Sequence, residues 1–188
     1  MPILGTIASQ VPANIPAGSF ESIQTASGTG SSGSITFSSI PQTYKHLQLR
    51  FLSRTTQNAP GYSETDVKLQ LNGDTGANYS HHRIMGTGSS TVTAAGVPST
   101  NQIIVWSTIA SGVSNVYTSG VIDFLDYTST SKYKTVRALH GQDFNGGGNV
   151  LLVSGLWMNT AAISSLSMTL YSDSFTTASN FALYGIKG

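Results

Sequence analysis

The stretch "GTGSSGSITFSSIP", Gly28–Pro41, decides between two fold classes. Its first six residues match the Gly-x-Gly-x-x-Gly pattern, which binds a dinucleotide only when a helix follows and receives the pyrophosphate. Here the β-rich run "SITF" follows and Pro41 closes it, so no helix can begin there. The acidic residue expected about 20 residues further on is missing as well. We therefore interpret the glycines as a turn between two strands.

The segments on both sides of this turn repeat a β pattern. In "KHLQLRF", Leu47, Leu49 and Phe51 alternate with polar residues, as half-buried strands do. The chain has two glutamates and no apolar repeat of helical spacing. Strands are predicted over residues 20–25, 34–39, 45–51, 66–72, 77–85, 101–107, 116–126, 133–140, 150–157, 164–171 and 180–187. So many short strands predict an all-β, antiparallel sandwich in one domain, residues 20–188.

Turn residues separate these strands. Asn72-Gly73, followed by Asp74, predicts a tight hairpin between "VKLQL" and "ANYSHH".

Charged residues make up only 9% of the chain, against roughly 25% in an ordinary soluble domain. The net charge is +1, and no basic stripe is available to approach a nucleic-acid backbone. A surface of such low charge favours association, either with copies of the chain or with a scaffold. The alternative is an extracellular domain, but the start of the sequence does not resemble a signal peptide or a membrane span.

Reactive side chains form no recognisable catalytic pattern. The chain has no cysteine, which excludes disulfides, thiolate zinc sites and thiol nucleophiles. Of the histidines at 46, 81, 82 and 140, the adjacent pair should face opposite sides of a strand and therefore not share a metal. We expect polar or buried structural roles for all four, and no catalytic, cofactor-binding or metal-binding residue.

Acidic residues invite two further hypotheses. The segments "SETD" (63–66) and "NGDTG" (72–76) place oxygens in loops, but neither has the ligand density of a dedicated calcium loop. Asp123 and Asp126 are spaced by three in a predicted strand, so they should face opposite sides and not form a carboxylate pair. We expect them on the surface or in a turn, beside Arg137 or Lys132.

Aromatic residues allow either a core role or a binding role. Tyrosine and tryptophan in loops can stack on sugars or anchor an interface, whereas in a sandwich they usually cap the core. We favour the core role for the set Tyr44, Tyr62, Tyr79, Tyr117, Tyr127, Tyr133, Trp106 and Trp157.

Several longer phrases resemble a group of tailed-bacteriophage virion proteins. They are "SSGSITFSSIPQTYKHLQLRF", "LQLNGDTGANYSHHRIMG", "VIDFLDYTSTSKYKTVRALHG", "SGLWMNTAAISSLSMTLYS", "NFALYGIKG" and the opening "MPILGTIASQ". The resemblance implies a jelly-roll-like β-sandwich and a non-enzymatic component of the virion, made in the bacterial cytoplasm. Members of the group look like capsid decoration (cement) proteins or small tail and fibre-head proteins.

The first expectation is a decoration protein that bridges neighbouring major capsid proteins on the phage head. The alternative is a receptor-binding module of a tail fibre that recognises host carbohydrate, in contact with a tail protein. Neither role involves a cofactor, nucleic acid or a membrane. Because a sandwich has strand edges that must be covered, we expect a closed homo-oligomer, a trimer.

Residues 1–19 predict an extended N-terminal arm. Proline at 2, 12 and 16 prevents a helix, and the apolar side chains would be exposed if the arm were free. These side chains are Ile3, Leu4, Ile7, Val11 and Ile15. The arm lies either across its own sandwich or on a neighbouring subunit or capsid protein, and we favour the second.

Overall fold

The computed structural model describes residues 19–58, 64–88, 91–110 and 114–188, which form two packed antiparallel sheets without any helix. The prediction of a single-domain, all-β antiparallel sandwich is confirmed. The twelve strands of these residues are β1 (Phe20–Ser27), β2 (Ser34–Phe37), β3 (His46–Ser53), β4 (Glu64–Leu71), β5 (Tyr79–Gly86), β6 (Val92–Thr100), β7 (Ile103–Ile109), β8 (Thr118–Phe124), β9 (Lys134–Asp143), β10 (Gly148–Trp157), β11 (Leu166–Leu170) and β12 (Asn180–Ile186).

The larger sheet has the order β1-β12-β3-β8-β9-β10-β5-β6, and the smaller has the order β2-β11-β4-β7. Four antiparallel pairs alternate between the two sheets: β1 with β12, β2 with β11, β3 with β8 and β4 with β7. The hairpins β5–β6 and β9–β10 are inserted into this arrangement and extend the larger sheet beyond β8. Among the described residues, the larger sheet therefore has four more strands than the smaller.

The core lies between the sheets, and Trp106 of β7 is at its centre. The Trp106 ring stacks on Phe51 with 4.1 Å between centroids, and its Nε1 donates a hydrogen bond to Ser53 Oγ at 3.2 Å. A bulge in the β4–β7 register places Val105 and Trp106 in the core together, although adjacent strand residues ordinarily face opposite sides. This buried hydrogen bond allows the indole to be fully covered without leaving its N–H unpaired.

The glycine-rich segment links β1 of one sheet to β2 of the other, so its interpretation as a turn is confirmed. Gly28 packs against the segment that precedes β12: a Cβ at this position would lie 2.1 Å from the Thr176 carbonyl oxygen. At Gly33 a Cβ would lie 2.4 Å from the Asp173 carbonyl oxygen. These two glycines are required for backbone packing.

The sequence interpretation missed β6. Its sequence, "VTAAGVPST", has neither alternation nor a strong β-former run, and it contains Gly96 and Pro98. Eight of its nine residues are exposed. A strand that buries neither face has no reason to alternate apolar and polar residues, so the usual periodicity is absent.

The predicted hairpin at Asn72-Gly73 is wrong, although the turn itself is present. Both residues have positive φ, and the Asp74 N–H donates to the Leu71 carbonyl at 3.0 Å. However, β4 before the turn and β5 after it belong to different sheets. The turn therefore carries the chain from the smaller sheet to the larger.

Ser19 is the only residue of the predicted arm that the structure describes. Ser19 accepts a hydrogen bond from the Lys187 N–H at 3.2 Å, so pairing with β12 reaches one residue further than predicted. The apolar arm residues Ile3, Leu4, Ile7, Val11 and Ile15 lie outside the described residues.

Candidate interaction surface

The outer face of the larger sheet carries a row of apolar side chains across five strands. The register places Val121, Leu139, Leu152, Ile84 and Ala94 opposite one another in turn, from β8 to β6. Directly opposite residues of an antiparallel sheet share a face, so the row is continuous. The three central side chains, those of Leu139, Leu152 and Ile84, are 50%, 51% and 53% exposed.

A second row runs parallel to the first and adds three exposed aliphatic side chains, Leu52, Val150 and Val92. We call the exposed aliphatic members of the two rows the outer aliphatic surface. It consists of Leu52, Ile84, Val92, Leu139, Val150 and Leu152. Exposed apolar side chains grouped in this way make the surface a candidate interaction site.

Polar residues border this surface next to the first row, on the side that faces away from the second row. In the third row, Asp123 of β8 lies opposite Arg137 of β9, followed by Ser154 of β10 and His82 of β5. Gln48 of β3 donates a hydrogen bond from Nε2 to Asp123 Oδ1 at 2.9 Å. An apolar centre beside a polar border is the anatomy of a protein–protein interface.

Sequence reasoning predicted all of these strands except β6 but missed the surface. The signal was the run "VLLV", 150–153, in which Val150 and Leu152 face outward while Leu151 and Val153 are buried. A strand with one solvated face alternates apolar and polar residues, so an uninterrupted apolar run indicates two apolar faces.

A shallow, open cleft of about 740 Å³ lies beside the outer aliphatic surface. It forms around Val150, whose neighbours in the second row, Gly141 and Gly86, have no side chains. Glu64 accepts hydrogen bonds from Gln142 at 2.7 Å and from Asn149 at 2.9 Å, which fixes both amides at the cleft wall. A polar, rigid wall of this kind suits a hydrophilic ligand.

The four histidines occupy separate environments. His81 is buried and His82 is exposed, so the adjacent pair faces opposite sides, as predicted. Burial lowers the pKa of His81, and it lowers the pKa of the buried His140 to about 4. His46 Nδ1 accepts a hydrogen bond from the Asp126 N–H at 3.0 Å. Within the described ranges, no three metal-ligating side chains are close enough to hold an ion.

The carboxylate of Asp74 is used inside the protein. It accepts hydrogen bonds from Trp157 Nε1 at 2.7 Å, from Asn78 Nδ2 at 3.0 Å and from the Gly76 N–H at 2.9 Å. The Trp157 hydrogen bond is the main reason that the Asp74 pKa is lowered. Because N–H donors surround its oxygens, the segment 72–76 is organised around an internal acceptor.

The other acidic loop, 63–66, is described only from Glu64 onward. Glu64 holds the two amides of the cleft wall, and Asp66 accepts a hydrogen bond from Ser107 Oγ at 2.6 Å. Both carboxylates therefore have partners within the sandwich.

Asp123 and Asp126 are placed differently from each other. Asp123 lies opposite Arg137, as expected, but β8 ends at Phe124, so the prediction that Asp126 lies in a strand is wrong. Asp126 occupies a turn with φ of 48° and pairs with Lys132 and Lys45, each at 2.9 Å. These two lysines lower the pKa of Asp126 to about 2.

Most of the described aromatic side chains take core positions. Trp106, Trp157, Tyr79 and Tyr127 are fully buried, and Tyr79 stacks on Trp157 with 6.3 Å between centroids. By contrast, Tyr133 is exposed. The remaining pair, Tyr44 and Tyr117, is half-buried, and Tyr62 lies outside the described residues.

No helix long and apolar enough to cross a membrane occurs in the part of the chain that the structure describes. Comparison with known proteins finds no matching family model, no matching curated protein and no matching solved structure.

Proposed function

We propose that this protein is a non-enzymatic structural component of a phage virion, a capsid decoration protein that bridges neighbouring major capsid proteins. The observation that carries the proposal is the outer aliphatic surface on a chain with only 9% charged residues. Such a face is stabilised by packing against another protein surface. The sequence resemblance supplies the virion as the setting.

The inserted hairpins support this proposal, because five of the six side chains of the outer aliphatic surface lie on β5, β6, β9 and β10. The remaining eight strands form the four alternating pairs described above, and this pairing supports a jelly roll, which is a wrapped double ribbon. We therefore propose a jelly roll enlarged by two hairpins, and the enlargement carries the contact face.

The strength of the contact follows from the exposed areas. Covering a fully exposed aliphatic side chain stabilises a complex by roughly 1.5–3 kcal/mol, so six half-exposed side chains contribute on the order of 5–9 kcal/mol. Association costs an estimated 4–15 kcal/mol in lost freedom. A single face therefore binds weakly, and a decoration protein reaches stable attachment through several contacts at once.

The alternative role, a tail-fibre module that recognises carbohydrate, is favoured by the cleft. Gln142 and Asn149 line it, and Glu64 holds both amides in place. Tyr117 at the rim offers an aromatic face of the type that stacks on sugars. Counting copies per virion separates the two roles: a decoration protein is present in hundreds of copies, and a tail module in a few to a few dozen.

The contact face is tested with two substitutions on one strand. We expect Leu152→Glu to lower binding to capsids stripped of the protein by at least about 100-fold, because it places a charge in the apolar row. Ser154→Glu is the matched control, since it places the same charge on the same face of β10, in the polar row. Sedimentation of capsids with each purified variant measures the effect.

Both variants should melt within a few degrees of the unmodified protein, because both positions are exposed. The proposal is contradicted if Leu152→Glu binds capsids as well as the unmodified protein does, or if the two variants lose binding equally.

A further inference from the structure

Among the residues that the structure describes, β6 is the longest edge strand of this sandwich, and its protection, Pro98 and a bulge, is confined to one end. Four strands lie at sheet edges: β1, β6, β2 and β7. Strand β1 carries Glu21, which binds Lys187 and Tyr44; β2 has only four residues; and β7 is almost entirely buried. Proteins cover or charge exposed edges because an open edge accepts another strand.

By contrast, β6 is nine residues long, contains no charged side chain and has eight exposed residues. Its irregularity is confined to one end, where the register with β5 shifts opposite Tyr79–His81 and Ser99 has a φ of 49°. The stretch Val92–Val97 pairs regularly with β5, and none of the described strands pairs with its other side. Six residues are enough to pair with an added strand.

The chain contains a segment that matches this edge. Residues Ile3–Val11, "ILGTIASQV", are nine uncharged residues without proline, bounded by Pro2 and Pro12. Read as a strand, they place Ile3, Ile7 and Val11 on one face. Added beside Ala94, that face would continue the apolar row of the larger sheet.

Geometry decides which copy supplies the segment. Strands β1 and β6 are at opposite edges of eight strands, so seven spacings, about 33–34 Å, separate them. The link from Val11 to Ser19 has eight steps and spans at most about 26–29 Å when fully extended. With the whole segment paired and the sheet taken as flat, this link is too short to reach β6 of its own subunit, so we assign the segment to β6 of a neighbour.

We infer that residues 3–11 of one subunit add as an edge strand to Val92–Val97 of a second copy. Each subunit donates one segment and accepts one, so head-to-tail exchange closes into a ring such as a trimer, whereas reciprocal exchange gives a dimer. This inference rests on the proposed function only in assigning the arm to assembly, and it names the partner as a second copy.

The absence of cysteine from the chain makes the pairing directly testable. Ile7→Cys is combined in turn with Ala94→Cys, Ala95→Cys, Gly96→Cys and Val97→Cys in the full-length protein. After mild oxidation, we expect disulfide-linked multimers on a non-reducing gel at one or two of the four positions, because disulfide formation requires close Cβ atoms in register. Two matched controls combine Ile7→Cys with Thr25→Cys on β1 or with Ser154→Cys on the outer face.

Three results would overturn the inference. They are a disulfide within one subunit to Thr25→Cys, a stronger cross-link to Ser154→Cys than to any β6 position, or cross-linking that does not depend on position in β6. The experiment uses purified protein without capsids. Cross-linked protein that does not bind capsids would therefore contradict the proposed function alone, and protein that binds capsids without β6 cross-links would contradict this inference alone.

Discussion

His140 is the most exceptional single residue in the described part of the protein. Its ring is buried, and neither ring nitrogen has a hydrogen-bond partner among the described residues. In the register of the sheet it lies between Gly120 and Leu151, and neither residue has an ionisable side chain. Burial lowers its pKa to about 4, so the neutral ring is the form that the folded protein keeps at neutral pH.

This burial predicts a loss of stability in mild acid. The unfolded chain binds a proton at His140 near pH 6.5, whereas the folded protein does so only near pH 4, so the free energy of unfolding falls as the pH falls between these values. Between pH 7 and pH 5 the contribution of His140 is about 2 kcal/mol. Between pH 7 and pH 5, we expect the free energy of unfolding of His140→Leu to fall by about 2 kcal/mol less than that of the unmodified protein. Urea unfolding at both pH values measures this difference.

Comparing the two proteins isolates this residue, because the lowered pKa of His81 acts in the same direction in both. Equal losses in the two proteins would show that His140 does not carry the dependence.

At the scale of elements, tight connections hold the two sheets in register. The segment Gly28–Gly33 is hydrogen-bonded along its length: the Gly28 N–H donates to Ser179, the Gly30 N–H donates to Phe175, and Gly33 accepts from Leu170. These bonds tie the connection between the two sheets to β11 and to the segment that follows it. The loop is thus part of the packing of the sandwich, although its composition is that of a flexible linker.

Gly28→Ala tests this packing. The added Cβ would meet the Thr176 carbonyl oxygen at 2.1 Å, so the backbone must shift, and we expect the free energy of unfolding to fall by about 3 kcal/mol. Gly86→Ala is the matched control, because its Cβ would meet Val150 only at 3.7 Å. Urea unfolding of both variants gives the comparison, and similar losses in the two would contradict the close packing at Gly28.

Strands that bury at least one face could be predicted from the sequence, whereas β6, which buries neither face, could not. Alternation in "KHLQLRF" located β3, since its inward residues form the core. Strand β6 left no such signal because it buries neither face. The turn at Asn72-Gly73 was visible, but the sheets that it joins were not, since local turn chemistry does not specify which strands pair afterwards.

The candidate surface was hidden for a similar reason. Each of its residues belongs to a strand that was predicted, except those on β6, yet the surface exists only through the register of strands that are far apart in sequence. Leu139 and Ile84, for example, meet in one row because β10 lies between their strands. Single-sequence patterns fix the faces of a strand but not its neighbours.

As a whole molecule, the protein combines an apolar contact face with a net charge of +1. Little electrostatic repulsion keeps copies apart, and the open edge of β6 adds a directional contact. Association should therefore depend on apolar and backbone contacts rather than on charge.

We accordingly predict a closed homo-oligomer, a trimer of 19.7 kDa subunits, with at least roughly 1,000 Å² buried at each contact. Light scattering at micromolar concentration should give the same mass between 50 mM and 1 M salt, because no screened ion pairs hold the contact. A monomer under all conditions would contradict this prediction, and dissociation at high salt would show that charged groups hold the subunits together.

The pairing of the first described strand with the last has a consequence for how the chain acquires its structure during synthesis. Among the described strands, β1 pairs only with β12, and the contact between Glu21 and Lys187 joins positions 166 residues apart. A ribosome releases the N-terminal strands long before their partners exist, so the larger sheet cannot be completed until β12 has been synthesised. Contacts this remote in sequence form slowly, in milliseconds to seconds, and they expose unpaired strands meanwhile. For this protein, β1 therefore lacks its described partner strand until Asn180–Ile186 has been synthesised.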